Sequence, residues 1–302
     1  MSEPRTGFSP AATMRSIVLG DRDRWIKLVM FACASISFLA VLMIFVFIFR
    51  ESLPAITKVG VTKLFLSTDW RPKSGHYGML AFTFGTLFTT VLAMIFAAPL
   101  GIGAAVFIDQ VAPEKVGRGV RRVIELLAGI PSVVIGWFAL ILLVPFIRSL
   151  TGSSGFGMLA ASMVLVVMSL PTITTLSAES LRAVPLELKE ASAAMGATRW
   201  QSIYKIMLPS AREGLIIAVI LGMGRAIGET MAVQMVIGNA NQATASLLQP
   251  GSTLTTRIVT DLGEASGVFR SALFAQALML LLLSVFLIVC IRLISRERKV
   301  KV

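Results

Sequence analysis

An arginine and a glutamate four residues apart stand inside a long apolar stretch, in Gly222-Met-Gly-Arg-Ala-Ile-Gly-Glu-Thr-Met-Ala-Val. On a continuous helix, Arg225 and Glu229 share one face. Charges at mid-span depth cost at least ~2.5–3.5 kcal/mol each on insertion scales, so such groups face protein or water and mark a path. Two chemistries fit the pair. It neutralises itself and locks helix packing, or Arg225 binds an anion. A guanidinium presents a fixed fork of donors that matches two oxygens of an oxyanion, and it stays charged when partly desolvated. A free Glu229 would repel that anion, which suits it to holding Arg225 while the path is empty. Thr230 completes the polar set. Gly224 and Gly228 make a GxxxG groove about 100° round the same helix, where a neighbour could approach closely.

The remaining chemical inventory is thin. Cys33 and Cys290 lie deep in apolar runs at opposite ends of the chain, with no CxxC pair and no metal spacing. His76 is the one histidine, in a polar loop with nothing to pair with it. No catalytic set and no metal site is expected. No Gly-Lys dipeptide occurs, so a Walker A phosphate loop is absent and any ATP is hydrolysed by another chain.

The elements that must position Arg225 follow from composition. The 302 residues are 56% hydrophobic and 15% charged, where soluble domains run near half and about a quarter. That excludes a disordered, fibrous or nucleic-acid-binding chain. The pI near 10.5 reflects basic residues spread between apolar blocks, as in a membrane protein among lipids. Six apolar stretches exceed the roughly 18–20 residues needed to cross ~30 Å of hydrocarbon: 28–49, 80–108, 124–147, 157–178, 214–237 and 271–291. Pro99, Gly101 and Gly103 predict a bend near the end of the second, and Gly129-Ile-Pro-Ser132 an irregularity in the third. No barrel-type alternation occurs, so the spans are read as helices. The alternate loops and tails that include both termini carry nineteen Lys/Arg, and the opposite loops eight. This places both termini in the cytoplasm, despite five basic residues in the loop 50–79. The first span is too long and its leader too polar for a cleaved signal peptide. The domains are a tail 1–27, a six-helix domain 28–291 and a basic tail 292–302.

The loop 179–213 is the most informative segment outside the spans. Pro185 suits the first turn of a short helix and Gly196 its C-terminal cap. Thr198 with Gln201 makes a capping box for a second short helix, which Pro209 ends. Ala191, Ser192, Ala193 and Ala194 are small enough for a partner's groove to close around the first helix. Composition alone fits an amphipathic linker on the membrane equally well.

Glu190-Ala191-Ser192, then Gly196, Ile206 and Leu208-Pro209, resembles the EAA motif of bacterial ABC importer permeases, with Ser192 where alanine is usual. The resemblance implies an all-α type I importer (MetI-like) fold with six transmembrane helices and a cytoplasmic EAA helix that docks on an ATPase subunit. Glu190, Ala191 and Gly196 would form the docking turn, and Leu208 and Pro209 would fix the following helix. The run Gly222 to Asn239, with Glu125-Leu-Leu-Ala-Gly-Ile-Pro-Ser-Val-Val134, Tyr77-Gly-Met-Leu80 and Asp69-Trp-Arg-Pro72, resembles the PstC type of permease from the phosphate-specific (Pst) importers. Met231–Asn239 favours that type over the PstA type. What this implies is a bacterial inner-membrane subunit without enzyme activity. It would pair with a PstA-type permease, two PstB-type ATPases that use ATP and magnesium, and a PstS-type binding protein that delivers phosphate. Sulfate or molybdate is the competing cargo. A secondary anion transporter leaves the EAA loop unexplained, and a membrane enzyme lacks a catalytic set.

Overall fold

The computed structural model describes residues 10–241 and 246–296. Parts of both expected tails, 1–9 and 297–302, lie outside them. The chain divides into two units, Met1–Arg50 and Glu51–Val302.

The described residues of the first unit, 10–50, are helical and belong to α1 (Pro10–Val59). This helix runs about ten residues past its expected end at 49 and stops at Gly60, whose φ of +87° closes it. The large apolar side chains from Trp25 to Phe49 are exposed, except for the half-buried Ile48. A helix apolar on all sides and uncovered belongs in lipid or against another chain.

In the second unit, α2 (Val61–Leu66) leads into an antiparallel hairpin of β1 (Trp70–Arg71) and β2 (His76–Tyr77), with Trp70 opposite Tyr77. Gly75, at φ +75°, closes the 3-10 turn between the strands. Next come α3 (Leu80–Val106) and α4 (Glu114–Gly129), then α5 (Ser132–Phe138) and α6 (Val144–Thr151). α7 (Met158–Arg182) precedes the short α8 (Leu186–Ala194), α9 (Arg199–Ser202) and α10 (Leu208–Ser210). The chain closes with α11 (Arg212–Gly228), α12 (Met231–Val236), α13 (Leu254–Asp261) and α14 (Gly267–Arg296).

Among the described residues, five helices are long and apolar enough to span a membrane, and a bent pair bridging Arg199–Ser210 and Arg212–Gly228 makes up to six. The all-helical membrane class is therefore as the sequence implies, with two spans revised. The third begins at Ser132, not 124, because Ile130-Pro131 breaks the chain and α4 forms a separate helix. Residues 214–237 are not one helix. α11 ends at Gly228, and after Glu229-Thr230 the chain restarts as α12.

α7 is the centre of the bundle. Some 56% of its apolar window is buried, against 28% or less in the other four spans, and it packs most extensively on α3 and α11. Small residues permit this. Ile173, fully buried, sits between Gly101 of α3 and Gly222 of α11. A Cβ on those glycines would come within 2.7 and 2.4 Å of its side chain. Gly214 receives Ser180 in the same way, and buried Ala218 lies midway between Gly214 and Gly222. Without a hydrophobic drive between helices in lipid, such close backbone approach is what holds them.

Among the described residues, three π turns interrupt the helices, at Phe107–Val111, Ala139–Leu143 and Ile203–Met207. Pro145 and Pro209 each follow one by two residues. A proline ring clashes with the carbonyl four residues earlier, and the wider turn moves that carbonyl aside. Pro209 thus does not end the second loop helix as expected. The helical path continues to Ser210 and bends by 70° into α11.

Candidate functional site

Glu229 does not share a helical face with Arg225. Its backbone is extended, φ −69° and ψ 127°, so the side chain leaves the α11 register. Its Oε1 instead accepts from the backbone N–H of Ala232 at 3.3 Å, filling one of the open donors at the start of α12. No ion pair joins Arg225 to Glu229 among the described residues. Thr230 donates its hydroxyl to the Gly228 carbonyl at 3.2 Å, and Thr255 donates to the Glu229 carbonyl at 3.2 Å. Two side-chain bonds therefore hold the break open. Arg225, in the last turn of α11, is exposed and carries no hydrogen bond or ion pair among the described residues. Its guanidinium fork is available to an anion.

Gly224 and Gly228 line the same open side. A Cβ on either would meet nothing within 4 Å. The groove expected there holds no neighbour from this chain, whereas Gly214 and Gly222 on the opposite side are the glycines that pack.

The loop folds as two short helices. At the end of α8, Gly196 is left-handed (φ +78°); its N–H donates to the Ala193 carbonyl and that of Ala197 to the Ser192 carbonyl. This pair of bonds is the Schellman cap. Thr198 and Gln201 form the reciprocal capping box on α9. Ser192, buried, shares a hydrogen bond with the Ser202 hydroxyl, so it joins the two helices where an alanine could not. Glu190, Ala191 and Gly196 are exposed, with Met195, Trp200 and Tyr204 beside them at 88, 65 and 76% exposure. Leu208 is half-buried and Pro209 exposed at the bend before α11. Three large apolar side chains this exposed within ten residues suit a surface that a partner covers.

Two polar clusters were not found from the sequence. Arg182 donates Nε to Asp109 Oδ1 at 2.5 Å, and Arg199 donates to the carbonyls of Gln110 and Val111. These bonds tie the loop to the π turn at the end of α3. The second cluster lies at the opposite end of α3. Arg257 grips both oxygens of Asp261, with Nε to Oδ2 at 2.8 Å, and Asp261 also accepts from Trp70 Nε1 at 2.9 Å. Both charged residues are buried, and Arg257 also donates to Asn241 and lies over Phe82 at 5.9 Å. The i,i+4 spacing of Arg257 and Asp261 was the available signal.

Comparison with known proteins places this arrangement. Residues 97–300 match the family described as the binding-protein-dependent transport system inner membrane component. The chain belongs to that family. It is 42% identical to a probable ABC transporter permease protein, YqgH, of Bacillus subtilis, over 91% of each chain. It is 39% identical to the phosphate transport system permease protein PstC of Xylella fastidiosa, over 76% of this chain and 77% of that one. The PstC protein of Mesorhizobium japonicum is 36% identical over 81% and 80%. The chain is thus a PstC-type permease. The relatives are transport membrane components, and this chain is a transport subunit rather than an enzyme. Its fold matches a bacterial alginate ABC transporter chain with a TM-score of 0.66 over 93% of this chain and 98% of that one, at 15% identity. The inward-facing MetNI methionine ABC transporter gives 0.59 over 72% and 95%, at 24% identity. The family is that of multi-pass membrane subunits of binding-protein-dependent systems.

Proposed function

We propose that this chain is the PstC-type subunit of an ATP-driven importer that carries inorganic phosphate across the bacterial cytoplasmic membrane. Its PstC relatives carry the phosphate assignment, and the unpaired guanidinium of Arg225 at a helix break supplies matching chemistry. Arg225 binds the passing anion. Glu229 and Thr230 shape the break, and Gly224 and Gly228 leave room beside it for a second, PstA-type permease. Both termini and the loop 179–213 are cytoplasmic, as the Lys/Arg census requires. There Glu190, Ala191 and Gly196 present the docking turn to PstB-type ATPases, which use ATP and magnesium while this chain binds no cofactor. Leu208 and Pro209 pass the movement into α11 through the bend. A PstS-type binding protein delivers phosphate from outside.

Reconstitution of the co-purified complex tests this. Phosphate uptake should require ATP and the binding protein, and sulfate and molybdate should not compete. Uptake of sulfate in preference to phosphate, or uptake without an ATPase, would overturn it.

A further inference from the structure

The five basic residues of the loop 50–79 run against the charge bias of the other outer loops, and the fold gives two of them a common place. Lys58 from the last turn of α1 and Lys63 from α2 line a cleft of about 430 Å3 with Ser67, Asp69, His76 and the glycines of the hairpin. Both lysines are exposed, and neither has an ion-pair partner among the described residues. The one carboxylate in the cleft is already engaged, since Asp69 Oδ1 accepts from Arg71 Nε at 2.7 Å. Two uncompensated ammonium groups in one small cleft repel each other, so the cleft favours an anion.

Packing and backbone hydrogen bonds tie its walls together, Tyr77 through the neighbouring Trp70. Trp70 is 2% exposed, donates to Asp261, and meets the rings of Phe82 and Tyr77 edge-on at 5.4 and 6.0 Å. Met79 N–H donates to the Leu64 carbonyl, and Gly78 N–H to that of Asp69. The cleft lies where the apolar stretch Trp25–Val59 ends and α3 begins, at the end of α3 opposite the turn held by Arg199.

We propose that this cleft is a second anion site, separate from Arg225, that takes a phosphate group. The lysine ammoniums, the His76 N–H and the Ser67 hydroxyl are its donors. Inorganic phosphate and the phosphodiester of an anionic lipid headgroup share this chemistry, and the level of the cleft admits either. Only its outward placement rests on the cytoplasmic reading of the loop; the binding does not.

The test uses the assembled complex in nanodiscs, without binding protein. Line broadening of inorganic phosphate in 31P spectra over phosphatidylcholine reports the free anion. Phosphatidylglycerol retained in native mass spectra of mixed-lipid discs reports the headgroup. One signal should be present and should weaken about tenfold in Lys58→Ala/Lys63→Ala. It should persist in Lys58→Arg/Lys63→Arg and in Arg225→Gln. In the unaltered protein the same ligand should slow acylation of Lys58 and Lys63 by an amine reagent. Absence of both signals, no weakening in the alanine protein, or unchanged acylation overturns the site. Loss of the signal in Arg225→Gln assigns the binding to the pathway instead and also overturns it. Failure of phosphate transport with the cleft still binding would count against the transport reading alone.

Discussion

Arg225 and Glu229 do not pair because the backbone parts them after Gly228, and the proposed reading gives them separate roles. Arg225→Gln should leave the complex assembled, since no partner in this chain is stranded, yet abolish uptake. Arg225→Lys should rescue poorly, because a point charge cannot reproduce the planar fork. Glu229→Gln should be milder, since the amide oxygen still accepts from Ala232 N–H. The charge-swapped pair, Arg225→Glu with Glu229→Arg, should not transport. Uptake by that protein would count decisively against an anion site. Arg257 and Asp261 behave oppositely. Removing one partner of a buried pair costs about 3–5 kcal/mol, so Asp261→Ala should lose assembled complex in size-exclusion profiles, with Trp70 Nε1 also left without its acceptor. The sequence displayed all four charges. It did not distinguish them, because the i,i+4 spacing is the same and only one pair sits on an unbroken helix.

At the level of elements, the loop is held by its caps, as the proposed coupling role needs. Gly196→Val places a β-branched residue at φ +78°, which costs at least about 1–2 kcal/mol, and opens the Schellman cap that directs α9. ATP hydrolysis should continue while uptake per ATP collapses. Coupled uptake in this variant would remove the loop's role. Arg199→Ala should also lower uptake per ATP, because the loop loses its hold on the carbonyls of Gln110 and Val111; Arg199→Lys should recover part of it. The two faces of α11 give a contrast. Gly222→Val drives a side chain into Ile173, an overpacking that costs about 1–3 kcal/mol and should lower the melting temperature. Gly224→Ala meets nothing in this chain, so any loss of co-purified second permease would report the interface alone. The GxxxG pattern was legible, but so is Gly214–Ala218–Gly222 at the same spacing. Which stripe a helix turns inward depends on its neighbours.

At the scale of the whole molecule, the proposed reading makes this chain one of two permease subunits. Apolar side chains stay exposed along α1 from Trp25, and Arg225 opens to one side, which a subunit tolerates only if lipid and partner chains cover it. Its sidedness can be read directly. In a background with Cys33 and Cys290 replaced, Lys73→Cys should react with a membrane-impermeant maleimide from outside intact cells. Met195→Cys, at a position 88% exposed on the loop 179–213, should react only in inverted vesicles. The reverse labelling would invert the orientation and move the lysine cleft to the cytoplasmic side.

Hydropathy determined the membrane class and most of the spans, because the bilayer forces long apolar stretches to satisfy their backbone internally as helices. Local chemistry determined the caps at Gly196 and Thr198, whose bonds close within a few residues. The break after Gly228 was decided by tertiary structure. Hydropathy averaged over 214–237 does not see two residues in which the Ala232 N–H and the Thr255 hydroxyl, 26 residues away from Glu229, take over from the helix ladder. The same holds for the hairpin anchored through Trp70 to Asp261, at a separation of 191 residues. Local periodicity reaches a few turns along the chain, whereas the Thr255 and Trp70 bonds join segments that only the packed bundle brings together.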